Sequence, residues 1–358
     1  MEITIVGTGN GGTAAAAHLS LKGHKVNVLK VSSRESEHFE TMKRTKKIKL
    51  TGIYGDHVND LNIVTDKPEL VIPNADIILV YYVTNYHDKV ADKISKYLRD
   101  NQIIYICPGY MATAIFTNKM ESCKNKANPI FVEGETIPYS CRIKKPGLVS
   151  IVSDNYRHPV AVIPKEKEDY TINILQNVIG NLEKRDSIFE VSLHNPNVII
   201  HTIGTLMNIS KVEDKNIDYA MYKDGFSKST WKIVKALDDE KCDVLGKMGY
   251  KKRTYFDEFL VRTFKEKDGI SNEEGFKIYA SQAPSGPNNI DNRYITEDIP
   301  MGLGLLSYLG NNLEIKTPVA DMLIMLASLV LSRDFTSEVR TAEKMGFKDF
   351  NEYYCKFK

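Results

Sequence analysis

Two stretches of the sequence carry residue types whose spacing could do chemistry. The first is Gly7-Thr8-Gly9-Asn10-Gly11-Gly12. A strand that stops at a glycine-rich turn and leads into a helix presents backbone N–H groups and the helix N-terminus to a pyrophosphate. Gly7 is expected to make the tight turn, Gly9 to let the backbone approach the phosphates and Gly12 to let helix and strand pack closely, with Asn10 and Gly11 completing the loop. The pattern alone is a weak signal. Here it follows the β-forming Ile3-Thr4-Ile5-Val6, precedes Ala14-Ala15-Ala16-Ala17, and is succeeded by Gly23-His24-Lys25-Val26 entering a second strand. That context points to a dinucleotide, the alternative being a glycine turn in some other α/β fold. At the end of the second strand an acid usually holds the adenosine ribose of NAD, but this chain has Lys30-Val31-Ser32-Ser33-Arg34. Lys30, Ser32 and Arg34 suit a ribose 2′-phosphate, so NADP(H) is expected over NAD(H). The alternative leaves Lys30 and Arg34 as solvated charges and gives the ribose to Glu35 or Glu37.

The second stretch concerns proton transfer. A nicotinamide carries the hydride, so the protein need only position substrate and move a proton, and histidine is the natural candidate. His18, His24, His38, His57, His87 and His158 have no partner evident from sequence and are expected in surface or core roles. In Leu193-His194-Asn195-Pro196-Asn197-Val198-Ile199-Ile200-His201-Thr202, Pro196 and Asn197 mark a helix start and put His201 on that helix. On pattern alone a buried structural histidine and a catalytic one fit His201 equally. A dense polar cluster, Asn292-Arg293-Tyr294-Ile295-Thr296-Glu297-Asp298-Ile299-Pro300, follows the loop 283–290 and sits beside Gly302 and Gly304. Clusters of this composition commonly supply turns and caps.

The elements that must position these residues follow from periodicity. Short β-branched runs at 2–6, 25–29, 76–82, 102–106 and 128–133 alternate with helical periods at 11–21, 34–44, 85–98 and 112–122. This alternation puts a parallel sheet between layers of helices. Residues 47–65, broken by Gly52 and Gly55, suggest a hairpin excursion, and alternation at 139–144, 149–153 and 159–162 suggests further strands extending the sheet. Helical periods follow at 166–179, 198–209, 229–247, 256–263 and 317–331. The expected fold is therefore α/β: an N-terminal Rossmann-type dinucleotide-binding domain over 1–187, then an all-helical domain over 188–358 that carries substrate and catalytic residues.

Bulk properties narrow the function classes. The 48 basic and 46 acidic residues nearly cancel, which argues against a nucleic-acid or anionic-membrane partner. Five cysteines make no C-x-x-C pair and no zinc-type spacing with histidine, so no metal site is expected and the thiols read as reduced, in the cytoplasm. The chain opens on a strand, leaving no room for a signal peptide. The longest apolar run, 322–331, is about half of what a membrane span needs. It is expected to be a core helix, with a dimer seam as the alternative, so the chain is a monomer or a homodimer.

Features spread along the chain resemble the opine dehydrogenases, the octopine and nopaline dehydrogenase family. They are Gly7 to Gly12, Cys107-Pro108-Gly109 after a strand, Glu135-Thr136 followed by Cys141-Arg142, the segment from Asn195 to His201, and Arg293 to Pro300, the last being the most specific. The resemblance implies an N-terminal Rossmann domain, a helical C-terminal domain and an active site in the cleft between them. It also implies NAD(P)H-dependent reductive joining of an amino acid to a 2-keto acid. It places the catalytic histidine on His201 and its carboxylate partner on Asp298, and gives Arg293 the grip on the keto-acid carboxylate, with Arg142 and Cys141 lining the same pocket. A structural ion pair of Arg293 with Glu297 or Asp298 is the competing role. The chain departs from the family at Tyr110-Met111-Ala112, where small residues are usual, and at Thr202, where proline is. Other two-domain reductases, of ketopantoate or glycerol 3-phosphate type, rely on a lysine, and Lys211 and Lys228 have no distinctive setting. A non-catalytic dinucleotide sensor would need no acid/base pair.

Overall fold

The computed structural model describes residues 1–265, 269–283 and 285–358, so that position 284 of the loop 283–290 lies outside the described residues. The chain divides into two compact units, Met1–Val191 and Ser192–Lys358. Sequence pattern puts the division near 187.

The first unit contains twelve strands: β1 (Glu2–Val6), β2 (Lys25–Leu29), β3 (Lys47–Gly52), β4 (His57–Asp60), β5 (Ile63–Thr65), β6 (Ile77–Val80), β7 (Ile103–Ile106), β8 (Ile130–Gly134), β9 (Tyr139–Lys145), β10 (Leu148–Asp154), β11 (His158–Ile163) and β12 (Leu182–Lys184). Eight form one sheet in the order β12-β11-β8-β7-β6-β1-β2-β5. From β8 to β5 every neighbouring pair is parallel, while β11 runs antiparallel to β8. Strands β6 and β7 are buried along their whole length, as continuous apolar runs covered on both faces should be. Register puts Ile3, Ile5 and Val6 of β1 between Val26, Val28 and Leu29 on one side and Ile77, Leu79 and Val80 on the other. The Rossmann-like arrangement thus places β1 at the reversal of strand order, where such sheets bind nucleotides at the carboxyl ends of the strands.

The expected extension of the sheet by residues 139–162 is only partly realised. Strand β11 does extend it, but β9 and β10 pair with each other and with β3 in a second sheet ordered β4-β3-β10-β9. Of the 47–65 excursion, β3 and β4 form the hairpin, whereas β5 returns to the main sheet beside β2. The helix Asn10–Leu21 contacts strands of both sheets. This explains Ala14 to Ala17, all fully buried: a helix covered on two sides has no solvent face, and only small side chains let both sheets approach.

Among its described residues the second unit contains helices and no strand. The main ones are Asn197–Leu206, Lys228–Lys247, Tyr255–Thr263, Asn272–Gln282, Gly304–Asn312, Pro318–Leu331 and Phe350–Phe357. Their starts are chemically marked: Ser227 caps the second, Thr254 and Asp257 form a capping box on the third, and Asp349 caps the last. The helix Pro318–Leu331 buries Ala320, Leu323, Ile324 and Ala327, but Met325 is 64% and Leu329 73% exposed. The expected core helix therefore has one face in the core and one exposed. No helix among the described residues is long and apolar enough to cross a membrane.

Candidate active site

In the first unit, the loop between β1 and the helix Asn10–Leu21 has the geometry its glycines imply. Gly7 has φ +132°, and a Cβ there would lie 2.4 Å from the Tyr81 carbonyl oxygen. A Cβ on Gly12 would lie 2.1 Å from the Gly7 carbonyl oxygen. Both positions require glycine for close packing. Gly9 differs, since a Cβ there would meet nothing within 4 Å: its outer face is open. Gly9 caps the helix without a side-chain hydrogen bond, and the first turn holds no acid. The first N–H groups of that helix are therefore available to a pyrophosphate. A Cβ on Gly11 would lie 3.4 Å from Ile137 Cδ1, and the Asn10 carboxamide oxygen accepts a hydrogen bond from Ile143 N–H, which ties the loop to β9.

The segment after β2 is held by a residue that sequence reasoning missed. The Tyr82 hydroxyl accepts hydrogen bonds from the N–H groups of Val31 (2.9 Å) and Ser32 (3.2 Å). Ser32 is half-buried and Arg34 exposed. Lys30 is largely buried, its ammonium 5.3 Å from the centre of the Phe39 ring. Part of its charge is thus spent on a cation–π contact.

Arg142 and Cys141 also belong to the first unit. Arg142 lies on the exposed face of β9 and donates to the Cys141 carbonyl. Cys141 sits in the hydrophobic core, where burial pushes its thiol up to about 12, so its side chain is part of the packing. Cys141, expected from the resemblance to line the substrate pocket, is thus found packed in this core. Tyr110 and Met111, the departure after Cys107-Pro108-Gly109, both have left-handed φ, 50° and 64°. Glycine adopts that conformation freely, which is why small residues are expected there. The Glu133 carboxylate steadies the turn by accepting from Met111 N–H and Thr113 N–H at the start of the helix Ala112–Ser122.

In the second unit, His201 and Asp298, 97 residues apart, meet. His201 Nδ1 lies 2.8 Å from Asp298 Oδ2, and the two residues are 3% and 1% exposed. His201 Nε2 lies 2.8 Å from the Tyr222 hydroxyl. A carboxylate only accepts, so Nδ1 carries the proton and Nε2 accepts from the Tyr222 O–H. The His201 ring stacks flat on Tyr294, with centroids 3.5 Å apart and planes within 1°. Two hydrogen bonds and a stacked ring fix the imidazole in orientation and tautomer. Burial holds its pKa well below the ordinary value, and the Arg293 charge adds to this while Glu297 opposes it.

The backbone that delivers Asp298 is unusual. Asn292 caps a single turn, Arg293–Thr296, and Asp298 immediately precedes a π-helical turn, Ile299–Leu303. Such turns re-aim side chains and are frequent at functional sites. Gly302 lets this turn approach the histidine helix, because a Cβ there would lie 2.5 Å from Val198 Cγ2. Arg293 is about half exposed, with one long contact, 3.5 Å, to Glu297, and its guanidinium lies over Tyr294. It has both the ion pair and exposed surface for a carboxylate. No group of three or more potential metal ligands occurs among the described residues. Lys211 lies 5.8 Å from the Tyr219 ring, and Lys228 opens the helix Lys228–Lys247.

A nucleotide-binding parallel sheet followed by a helical unit with a buried His–Asp pair defines a two-unit NAD(P)-dependent dehydrogenase. Residues 184–331 match the family model described as NAD/NADP octopine/nopaline dehydrogenase, alpha-helical domain, and residues 2–115 match that of the NAD-dependent glycerol-3-phosphate dehydrogenase N-terminus. The helical unit is thus similar to the helical domain of the octopine/nopaline dehydrogenases, and the chain over nearly its whole length is similar to opine dehydrogenases. It is 26% identical over 348 residues to an opine dehydrogenase of Arthrobacter sp. (strain 1C), covering 96% of this chain and 94% of that one. It is similar in fold to octopine dehydrogenase with NADH and L-arginine, with a TM-score of 0.76, 18% identity, and 99% and 98% of the two chains covered. The same holds for octopine dehydrogenase with NADH and pyruvate, with a TM-score of 0.73, 19% identity, and 98% and 97% covered.

Proposed function

We propose that the protein reductively condenses an amino acid with a 2-keto acid at the expense of NAD(P)H, giving a secondary amine dicarboxylate. The observation that carries this is the buried His201–Asp298 pair, oriented through both ring nitrogens and stacked on Tyr294.

Imine formation needs a group that accepts a proton and then gives it back. His201 Nε2 is unprotonated near neutral pH, because burial and Arg293 disfavour the imidazolium. As the amine nitrogen bonds to the keto carbon, the carbonyl π bond breaks onto oxygen, and His201 carries one N–H proton to that oxygen, giving the carbinolamine hydroxyl. It then carries the second N–H proton to the hydroxyl, so that the C–O bond breaks with loss of water as the C=N bond forms. Asp298 stabilises the imidazolium in between. The Tyr222 O–H donates to the Nε2 lone pair and must turn aside, or pass the proton on, when Nε2 takes a proton from substrate. Arg293 offers a guanidinium fork to the keto-acid carboxylate. Bound NAD(P)H supplies the hydride that reduces the imine carbon.

NADP(H) is favoured over NAD(H) because no acid closes β2 and Arg34 is exposed beside Ser32. With Lys30 drawn toward Phe39, most of this preference rests on Ser32 and Arg34. Five free cysteines support a reducing cytoplasm as the place of work.

The test is oxidation of NADPH and NADH by the purified protein with pairs of amino and keto acids. Turnover is expected only when both substrates are present, with the lower KM for NADPH. His201→Ala should lose about 10² to 10⁴ of that rate while still binding cofactor. A keto acid reduced without any amine would overturn the proposal.

A further inference from the structure

The helical unit holds a cavity of about 1050 Å³ lined in part by six aromatic side chains, Tyr222, Phe226, Trp231, Tyr255, Phe256 and Phe276, with charged residues making up much of the remaining wall. The rings pack as a set, with Trp231 centred 5.1 Å from Phe226, 5.1 Å from Phe256 and 4.9 Å from Phe276, the last edge to face. Tyr222 belongs to this wall and also donates to His201 Nε2, so it is the residue through which cavity and imidazole meet. A space of this size and lining is larger than the reaction centre needs, and it is the kind of surface that holds a sizeable apolar group.

We propose that this cavity receives the side chain of the amine substrate and selects amino acids with a large apolar side chain, aromatic or long aliphatic. This rests on the amino-acid-plus-keto-acid function given above. Charge on the lining narrows the class further. Of its acids, Asp238 is engaged by Lys241 at 2.6 Å and by Tyr255 N–H, and Asp239 by Lys235 at 2.7 Å. Lys223, Lys228 and Lys277 also line the cavity, against a single further acid, Glu273. A cationic side chain would meet spent carboxylates and an excess of ammonium groups. An apolar one gains from leaving water without such a penalty.

The experiment uses the full chain with saturating NAD(P)H and pyruvate, and compares glycine, L-alanine, L-leucine, L-phenylalanine and L-arginine. The kcat/KM for leucine or phenylalanine should exceed that for alanine by roughly 10- to 100-fold, with arginine the poorest of the large side chains. Trp231 is the chain's only tryptophan, so its emission reports cavity occupancy independently of turnover. It should shift on titration with leucine or phenylalanine and not with glycine. Ala280→Leu, which adds bulk at the half-buried cavity edge, should lower the phenylalanine-to-alanine ratio of kcat/KM about tenfold. Turnover that needs both substrates but favours small or cationic side chains, with Trp231 emission unmoved, would overturn this assignment and leave the reaction standing. No turnover with any pair would overturn the reaction itself, and the Trp231 titration would still decide whether the cavity takes an apolar amino acid.

Discussion

A histidine with both nitrogens already hydrogen-bonded is poised by its neighbours, and the two neighbours of His201 act differently. Asp298 favours the protonated ring, whereas the Tyr222 hydroxyl, donating to Nε2, favours the neutral one. In Tyr222→Phe the donated bond is lost while the stack on Tyr294 and the bond to Asp298 persist. The His201 pKa should then rise toward its ordinary value, and the acid limb of the kcat/KM profile should move to higher pH. The rate at neutral pH should fall by about tenfold or less, the worth of one hydrogen bond. A purely structural tyrosine would change the amount of active enzyme without moving that limb. A pH–rate profile of the two proteins separates the cases, and an unmoved limb refutes the assignment. Tyr222 was not legible in the sequence: no spacing rule ties a tyrosine to a histidine 21 residues earlier, and the contact exists only once the helices pack. Asp298 was reachable only through family resemblance, because a carboxylate 97 residues away has no local signature either.

The elements that carry the two dyad residues are held at a fixed spacing by one glycine. With the π turn Ile299–Leu303 pressed against Val198, the Cβ of Gly302→Ala would intrude to 2.5 Å from Val198 Cγ2 and push the turn away from the helix bearing His201. A displacement of about 1 Å at such a pair costs on the order of 10² in rate. Val198→Ala in the same chain makes room and should restore most of the loss, and a coupling free energy near zero in that double-mutant cycle would refute the argument. Elements were more legible than these contacts. Strands β1 and β2 stand at their expected residues, since a short β-branched stretch whose last four residues are all buried has few alternatives. Strands β5 and β12 escaped because three residues carry no measurable period. Strands β9 and β10 were visible as alternation, but their sheet was not. Period two fixes which side chains face inward and says nothing about which strand lies alongside, a matter settled by β3 from a hundred residues earlier.

At the scale of the whole molecule, buried neutral histidines couple stability to pH. In the first unit His18 and His158 are both lowered to about 4, each chiefly by burial. For His158 the Asp154 charge opposes the shift; for His18 Lys22 adds to it and Asp154 opposes it. In the second unit burial likewise holds His201 low. The unfolded chain binds protons at these sites near pH 6.5, before the folded chain does. Their contribution to stability is therefore complete above about pH 6.5 and is lost as pH falls from there toward about 4. Carboxylates with depressed values act below that window, so the two effects separate on the pH axis. For the deeply buried His158 alone the shift corresponds to roughly 3 kcal/mol at neutral pH, or on the order of 5–10 °C in Tm for a unit of this size. Thermal unfolding followed from pH 7.5 to 4.5 should show Tm falling throughout the lower half of that range, in both units. His158→Gln removes one titrating group from the first unit and should flatten that unit's slope while leaving the second unit's unchanged. A Tm constant down to pH 4.5 would show that these imidazoles are hydrated in the folded protein and that their burial contributes nothing to its acid sensitivity.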